Sequence, residues 1–184
     1  MDVVTFKLQF PATEIEALAG RFPASDDDAL LAVGAAARAR GHFTRTEFIE
    51  VCAWKTPRSR PKVASNSART VIEATARALA GADEAARIGA LLELEGVGVP
   101  TASTLLYCAF PDEYPILDVR ALESLGVKSR SSYTVSFWLA YLDACRSLAR
   151  QSRVSLRTLD KALWQRSKEL SAATCAAGRA PGCE

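Results

Sequence analysis

The chain of 184 residues carries 49% hydrophobic and 24% charged residues, enough apolar content for the core of one domain or two tightly joined helical lobes. A single histidine, His42, excludes histidine-built metal centres and Ser/His/Asp triads, and five cysteines without paired spacing read as reduced thiols. No stretch reaches the roughly 18 apolar residues of a membrane span, and Met1-Asp2-Val3-Val4 lacks the layout of a secretory signal, so a cytoplasmic protein is expected.

Residues 3–10 alternate weakly and read as an extended arm before Pro11. Beyond it, nearly everything reads as helix. Thr13 opens a helix with Glu16 three residues on, a capping-box pattern, and Thr44 with Glu47 repeats it for a helix running to Trp54. Asp26, Asp27 and Asp28 suit the N-terminus of the alanine-rich helix ending near Gly41, where acids match the dipole, rather than a metal site. Residues 56–61 read as a loop, and Ser65 or Asn66 caps a helix reaching about Leu79. Helices are expected at about 83–93 and 100–110, then a short one from Asp118, a long one at about 132–150 and another from Ser155. Residues 172–184, rich in Ala and Gly with Pro181, read as a flexible tail, leaving 1–171 as a single all-α domain.

The densest signal is LLELEGVGVPTASTLL at residues 91–106, where two apolar helical turns meet at Gly96-Val97-Gly98. This is a helix–hairpin–helix pattern spanning about 83–110. Both glycines permit positive φ and close backbone approach. Leu91, Leu92, Leu94, Val97, Leu105 and Leu106 lock the helices together, and Pro100 suits the first helical turn. The first amides of the second helix lack intrahelical partners and carry partial positive charge, which favours a phosphate there. Gly96, Val97, Gly98, Thr101, Ala102 and Ser103 are therefore candidate DNA contacts. A plain αα-corner is the competing reading. Twenty positions past Gly98, Asp118 precedes Val-Arg-Ala-Leu, a good helix N-cap that is also placed to face a sugar beside that phosphate.

Charge is segregated along the chain. Residues 51–72 hold Lys55, Arg58, Arg60, Lys62 and Arg69 without an acid; residues 119–168 carry a net of +7 and residues 73–118 a net of −6. Such segregation permits one basic face on a nearly neutral protein, as phosphate binding requires.

Leu94-Glu95-Gly96-Val97-Gly98 with Thr101-Ala102, followed by Pro115-Ile116-Leu117-Asp118, resembles the signature of the HhH-GPD superfamily of base-excision DNA glycosylases, which includes endonuclease III, the adenine glycosylase and the alkyladenine glycosylase. The resemblance covers about residues 88–125. It implies two small helical lobes with a cleft between them, and a duplex DNA partner whose target base is flipped into that cleft. It makes Asp118 the catalytic carboxylate, stabilising an oxocarbenium-like transition state as the N-glycosidic bond breaks. A nucleoid-associated location follows.

Three departures shape the expectation. The lysine that bifunctional members carry two residues past the second hairpin glycine is Pro100 here, so a monofunctional enzyme without Schiff-base chemistry is expected. Only Cys175 and Cys183 lie near the C-terminus, too few for the iron–sulfur cluster of some members. No cofactor or metal is expected, apart from a monovalent cation at the hairpin carbonyls as in relatives. The pocket segment reads Cys52-Ala53-Trp54-Lys55-Thr56-Pro57-Arg58, unlike the glutamine-rich family helix.

From that segment Trp54 is a candidate to stack on the base, or else a core aromatic beside Phe48 and Val51. Lys55 and Arg58 are candidates for phosphate or the base edge, and Lys55 also for the role of the missing lysine. Glu50 is a candidate general acid, Tyr114 a cleft-lining residue, and Arg120 a partner of Asp118 or of a phosphate. Trp138 and Trp164 read as core. The alternative function is a non-catalytic helix–hairpin–helix DNA-binding protein; an all-helical interaction protein is a third reading.

Overall fold

Helix-forming periodicity prevails from residue 12 onward, and its outcome is a bundle of short helices around one central helix. The computed structural model describes residues 4–23 and 27–177; among them there are ten α-helices, two short 3₁₀ turns and no strand. In chain order the helices are α1 (Ile15–Gly20), α2 (Asp27–Arg40), α3 (Arg45–Lys55), α4 (Arg60–Val63) and α5 (Ala68–Ala80). They continue with α6 (Glu84–Leu92), α7 (Val99–Ala109), α8 (Val119–Ser124), α9 (Val135–Ser152) and α10 (Leu156–Ala177). None is long and apolar enough to cross a membrane.

Most helix starts are fixed by the expected chemistry. Thr44 and Glu47 form a complete capping box on α3, and Asp83, Asp118 and Thr134 accept backbone amides at the starts of α6, α8 and α9. Ser155 does the same for α10, accepting Thr158 N. Two starts differ. Thr13 caps nothing: it sits inside a 3₁₀ turn, Ala12–Glu14, and α1 begins at Ile15 without a side-chain cap. Ser67, not Ser65 or Asn66, caps α5. The expected loop at 56–61 is instead a 3₁₀ turn, Pro57–Ser59, running into α4, with Pro57 and Pro61 both at positions where a missing N–H costs little.

Helix α7 is buried along almost its whole length and is the axis of the core. Gly34 brings α2 against it backbone to backbone; a Cβ there would lie 1.8 Å from the Cys108 carbonyl oxygen. Trp138, Tyr107, Tyr141, Phe43 and Phe48 are fully buried in the core, and Cys52, Cys108 and Cys145 are free buried thiols. Burial alone pushes the Cys52 thiol up to about 12.

The N-terminal arm is extended, as its alternation suggested, and it is docked. Lys7 N donates to Leu125 O and Gln9 N to Ser124 O, each at 3.0 Å, while Phe6 packs edge-on against Phe137 and Tyr141. At the other end α10 continues to Ala177, past the expected tail boundary at 172; residues 178–184, with Cys183, lie outside the described residues. Asp26 lies outside them too.

Candidate functional site

The turn between α6 and α7 depends on its two glycines in different ways. Gly96 has φ +78°, and a Cβ on it would lie 2.8 Å from Lys62 Cβ and 3.0 Å from Val63 N, so α4 packs directly under the turn. Gly98 does not need positive φ: it is the N-cap of α7 at φ −102°, ψ 174°, and a Cβ there would meet only Pro100 Cδ, at an ordinary 3.8 Å. Nothing inside the protein requires glycine at 98. Its bare, exposed backbone leaves room for something outside.

Asn66 braces the turn from α4's side. Its Nδ2 donates to Glu95 O at 3.0 Å and its Oδ1 accepts Glu95 N at 2.9 Å. Among the expected hairpin contacts, Val97, Thr101, Ala102 and Ser103 turn their side chains into the core. Only the main chain of this helix start remains for a ligand, and α7 has no side-chain cap to compete for its amides.

The strand-like segment from Tyr114 to Asp118 has no neighbouring strand to bond, and side chains from α7, α9 and α10 take that role. Asp160 Oδ1 accepts Ile116 N at 3.1 Å, Tyr141 Oη donates to Ile116 O at 2.9 Å, and Ser103 Oγ accepts Leu117 N at 3.0 Å. Asp118 emerges from this pinned segment half-buried. Its Oδ1 accepts Arg120 N at 2.8 Å, the α8 cap, and its Oδ2 accepts Lys55 Nζ at 2.7 Å. The Lys55 side chain is 12% exposed and that of Asp118 27%. The acid is neither sealed nor turned away from a groove.

Lys55 and Asp118 stand between two concavities and line both. On one side is a cavity of about 220 Å³ whose walls include Phe22, Trp54 and Trp164, with Asp27, Arg157 and Asp160 among its lining residues. On the other is a groove of about 430 Å³ lined by Gly98 and Val99 of the hairpin, Arg58, Arg130, Ser131 and Tyr133. Their charges differ in sign. The cavity has Asp27, Asp118 and Asp160 against Lys55 and Arg157; the groove has Lys55, Arg58 and Arg130 against Asp118 alone.

The inner wall of the cavity is a buried ionic cluster. Arg157 pairs with Asp160 Oδ2 at 2.7 Å and with Asp27, and its guanidinium lies over the rings of Tyr107 and Phe22 at 4.7 and 5.3 Å. Desolvation is the largest influence on both partners of the 2.7 Å pair: it raises the Asp160 carboxyl and lowers the Arg157 guanidinium, and their mutual attraction opposes both shifts. With Arg157 between two carboxylates, we read the cluster as ionised.

The remaining candidates separate clearly. Trp54 is not a core residue; it is 41% exposed and lines the cavity. Trp164, expected in the core, is half-buried, packs edge-on against Phe22 at 5.2 Å and lines the same cavity, whereas Trp138 is core. Glu50 is exposed and lines neither concavity, and Tyr114 is buried with its hydroxyl donating to Glu84 at 2.7 Å. The Arg120 side chain turns toward α10, over the Trp164 ring and within 3.4 Å of Ser171 Oγ, rather than to Asp118 or the groove. Sequence reasoning missed Asp27, Arg157, Asp160, Arg130 and Phe22. No local pattern in the sequence sets these residues apart; they are brought together from α2, α10, the segment before α9 and just past the end of α1.

Compared with protein-family models, curated proteins and solved structures, the chain matches none.

Proposed function

We propose that the protein is a monofunctional DNA glycosylase with a helix–hairpin–helix fold of the glycosylase type, two helical lobes facing each other across the concavities around Asp118. One observation carries this reading: a single carboxylate lies at the junction of a small aromatic-walled cavity and a basic groove floored by the hairpin. A nucleotide has the same three-part order. Its phosphate fits the groove, against Arg58, Arg130 and the free amides of α7, its sugar falls at Asp118 and its base enters the cavity. The target base is rotated out of the duplex, at a cost of a few kcal/mol in stacking that groove contacts help to offset.

As the glycosidic bond breaks, positive charge grows on the deoxyribose, and Asp118 is placed to stabilise it and to orient water. Lys55 holds Asp118 in place, its Nζ committed as a donor to Oδ2 at 2.7 Å rather than aimed at the sugar. Water, not lysine, is then the nucleophile, and the product is an abasic site.

The test is incubation of the full chain with duplexes carrying a panel of modified bases, with abasic sites read as alkali-labile breaks. Release of a base by the wild type and its loss in Asp118→Asn supports the reading. The alternative, a DNA-binding protein without catalysis, is favoured by the fact that both Asp118 oxygens already have partners. It predicts salt-dependent duplex binding with no base released from any substrate.

A further inference from the structure

The helix that bears Trp164 carries a cationic stripe. Arg157, Lys161, Trp164, Lys168 and Ser171 follow one another at steps of three or four residues along α10, and so share one face of it. At its buried end the stripe is neutralised, because Asp27 and Asp160 bracket Arg157. Farther along it is not. Lys161 Nζ lies over the Phe22 ring at 5.5 Å, and 3.9 Å from an Asp27 oxygen that Arg157 already occupies. Lys168 Nζ lies over the Trp164 ring at 5.0 Å, and Arg120 reaches the same ring from α8 at 5.5 Å. Among the described residues, neither Lys168 nor Arg120 has a carboxylate oxygen within 4.0 Å.

Two unpaired cations drawn to one indole repel each other, at a cost that a bound anion removes. Acids do that job at other surface arginines, as Glu73 does for Arg69 and Glu93 for Arg77. At Trp164 the protein leaves the charge open. Trp164 and Phe22 line the cavity and not the groove, so this charge is distinct from that of Arg58 and Arg130. A duplex carries one negative charge about every 1.7 Å of its axis, and a strand whose sugar lies at Asp118 has a phosphate on either side of that sugar. The hairpin groove provides for one side; the rim of the cavity at Trp164 carries the charge for the other.

We propose that Lys168 and Arg120, gathered on Trp164, form a second phosphate site that holds the nucleic-acid backbone where it runs past the cavity, apart from the hairpin. This rests on the reading of the groove as a nucleic-acid site. The test measures the Kd of the full chain for an undamaged DNA duplex of about 20 base pairs, between about 50 and 200 mM salt. Each phosphate contact adds about 0.9 to the slope of log K against log salt, or roughly 3.5-fold in affinity across that range. Lys168→Met keeps an apolar stem on the ring and loses the charge, so its affinity should fall about 3.5-fold less than that of the wild type. Adding Arg120→Met should widen the difference to about 12-fold. As a control, Arg150→Met with Arg153→Asn removes two exposed cations at the end of α9 and should leave the slope nearly unchanged. A wild-type slope in both folded rim variants overturns the proposal, and so does an equal loss in the control. Failure of the wild type to bind the duplex at the lowest salt overturns it too. Displacement of the duplex by deoxyadenosine monophosphate, lost in Lys168→Met, would assign the site to a free phosphate monoester and overturn the backbone reading. Base release is scored separately: slope losses at the rim with no base released from any duplex sink the glycosylase reading alone. Base release that depends on Asp118, with wild-type slopes in the rim variants, sinks the second site alone.

Discussion

Replacing Asp118 by Asn separates the two jobs of one side chain. The variant is isosteric, and asparagine caps a helix about as well as aspartate, so the bond from Arg120 N survives. The pair with Lys55 does not. Exposed ion pairs contribute roughly 0–1 kcal/mol and breaking a fully buried one costs about 3–5 kcal/mol. With side chains 12% and 27% exposed, this pair falls between those limits, at about 2 kcal/mol. For a chain of this length the melting temperature should drop by roughly 4–8 °C. The kinetic loss should be larger. Removing a full negative charge from beside a developing cation costs on the order of 10²–10³ in rate, about 3–4 kcal/mol. Single-turnover formation of abasic sites, on the duplex whose base the wild type releases, measures this at a temperature where the variant is folded. Lys55→Met and the double variant complete a cycle, in which the stability losses should not add because both remove one pair. Wild-type excision by Asp118→Asn would refute the assignment, and an unchanged melting temperature would refute the pairing.

Further outcomes follow from the same geometry. Gly98→Ser should keep or slightly raise stability, since serine is a favoured N-cap and no wall stands in its way, yet it should weaken duplex binding; Gly96→Ala should cost about 2–4 kcal/mol through its positive φ and the contact with α4. Thermal melts and a binding titration check the pair, and equal effects of the two on binding per unit of stability would count against the hairpin as a DNA contact. Borohydride should trap no covalent adduct between the chain and its substrate; a trapped adduct lost in Lys55→Met would show that Lys55 gives up a proton and attacks the sugar as the neutral amine, forming the imine that borohydride reduces. The Arg21 guanidinium, with Gln165, holds the Glu169 carboxylate down at about 2 from its ordinary 4.5. Its folded value lies below the unfolded one, so the stability it lends is present above about 4.5 and lost as pH falls through about 2. Acid unfolding of Glu169→Gln should therefore be flatter across that window, and an identical acid limb would exclude the effect.

Sequence made the local features legible and left the assembled ones dark. Thr44 with Glu47, Asp118 before Val-Arg-Ala-Leu and Gly96 before an apolar helix each express their chemistry within a few residues, so they could be read before any fold was known. Trp164 could not: its apolar helical spacing is the same whether the face meets core or cavity, and only the approach of Phe22 decides. Asp27 looked like an acid matched to a helix dipole, which it is, but its partner Arg157 is 130 positions away and no local pattern links them. Ser103 was legible as a helix start and not as the anchor of Leu117. Side chains with two roles show the nearer one in sequence.

That anchor has a mechanical consequence. Because one hydroxyl of α7 clamps the main chain immediately before the carboxylate, the phosphate and the sugar of the proposed substrate would be registered to the same member. The spacing between grip and acid is then gauged by α7 directly, with Tyr141 of α9 and Asp160 of α10 steadying the same segment one residue earlier. Movement of the exposed Trp54 side chain at the cavity wall would alter how readily a base enters more than it altered that spacing.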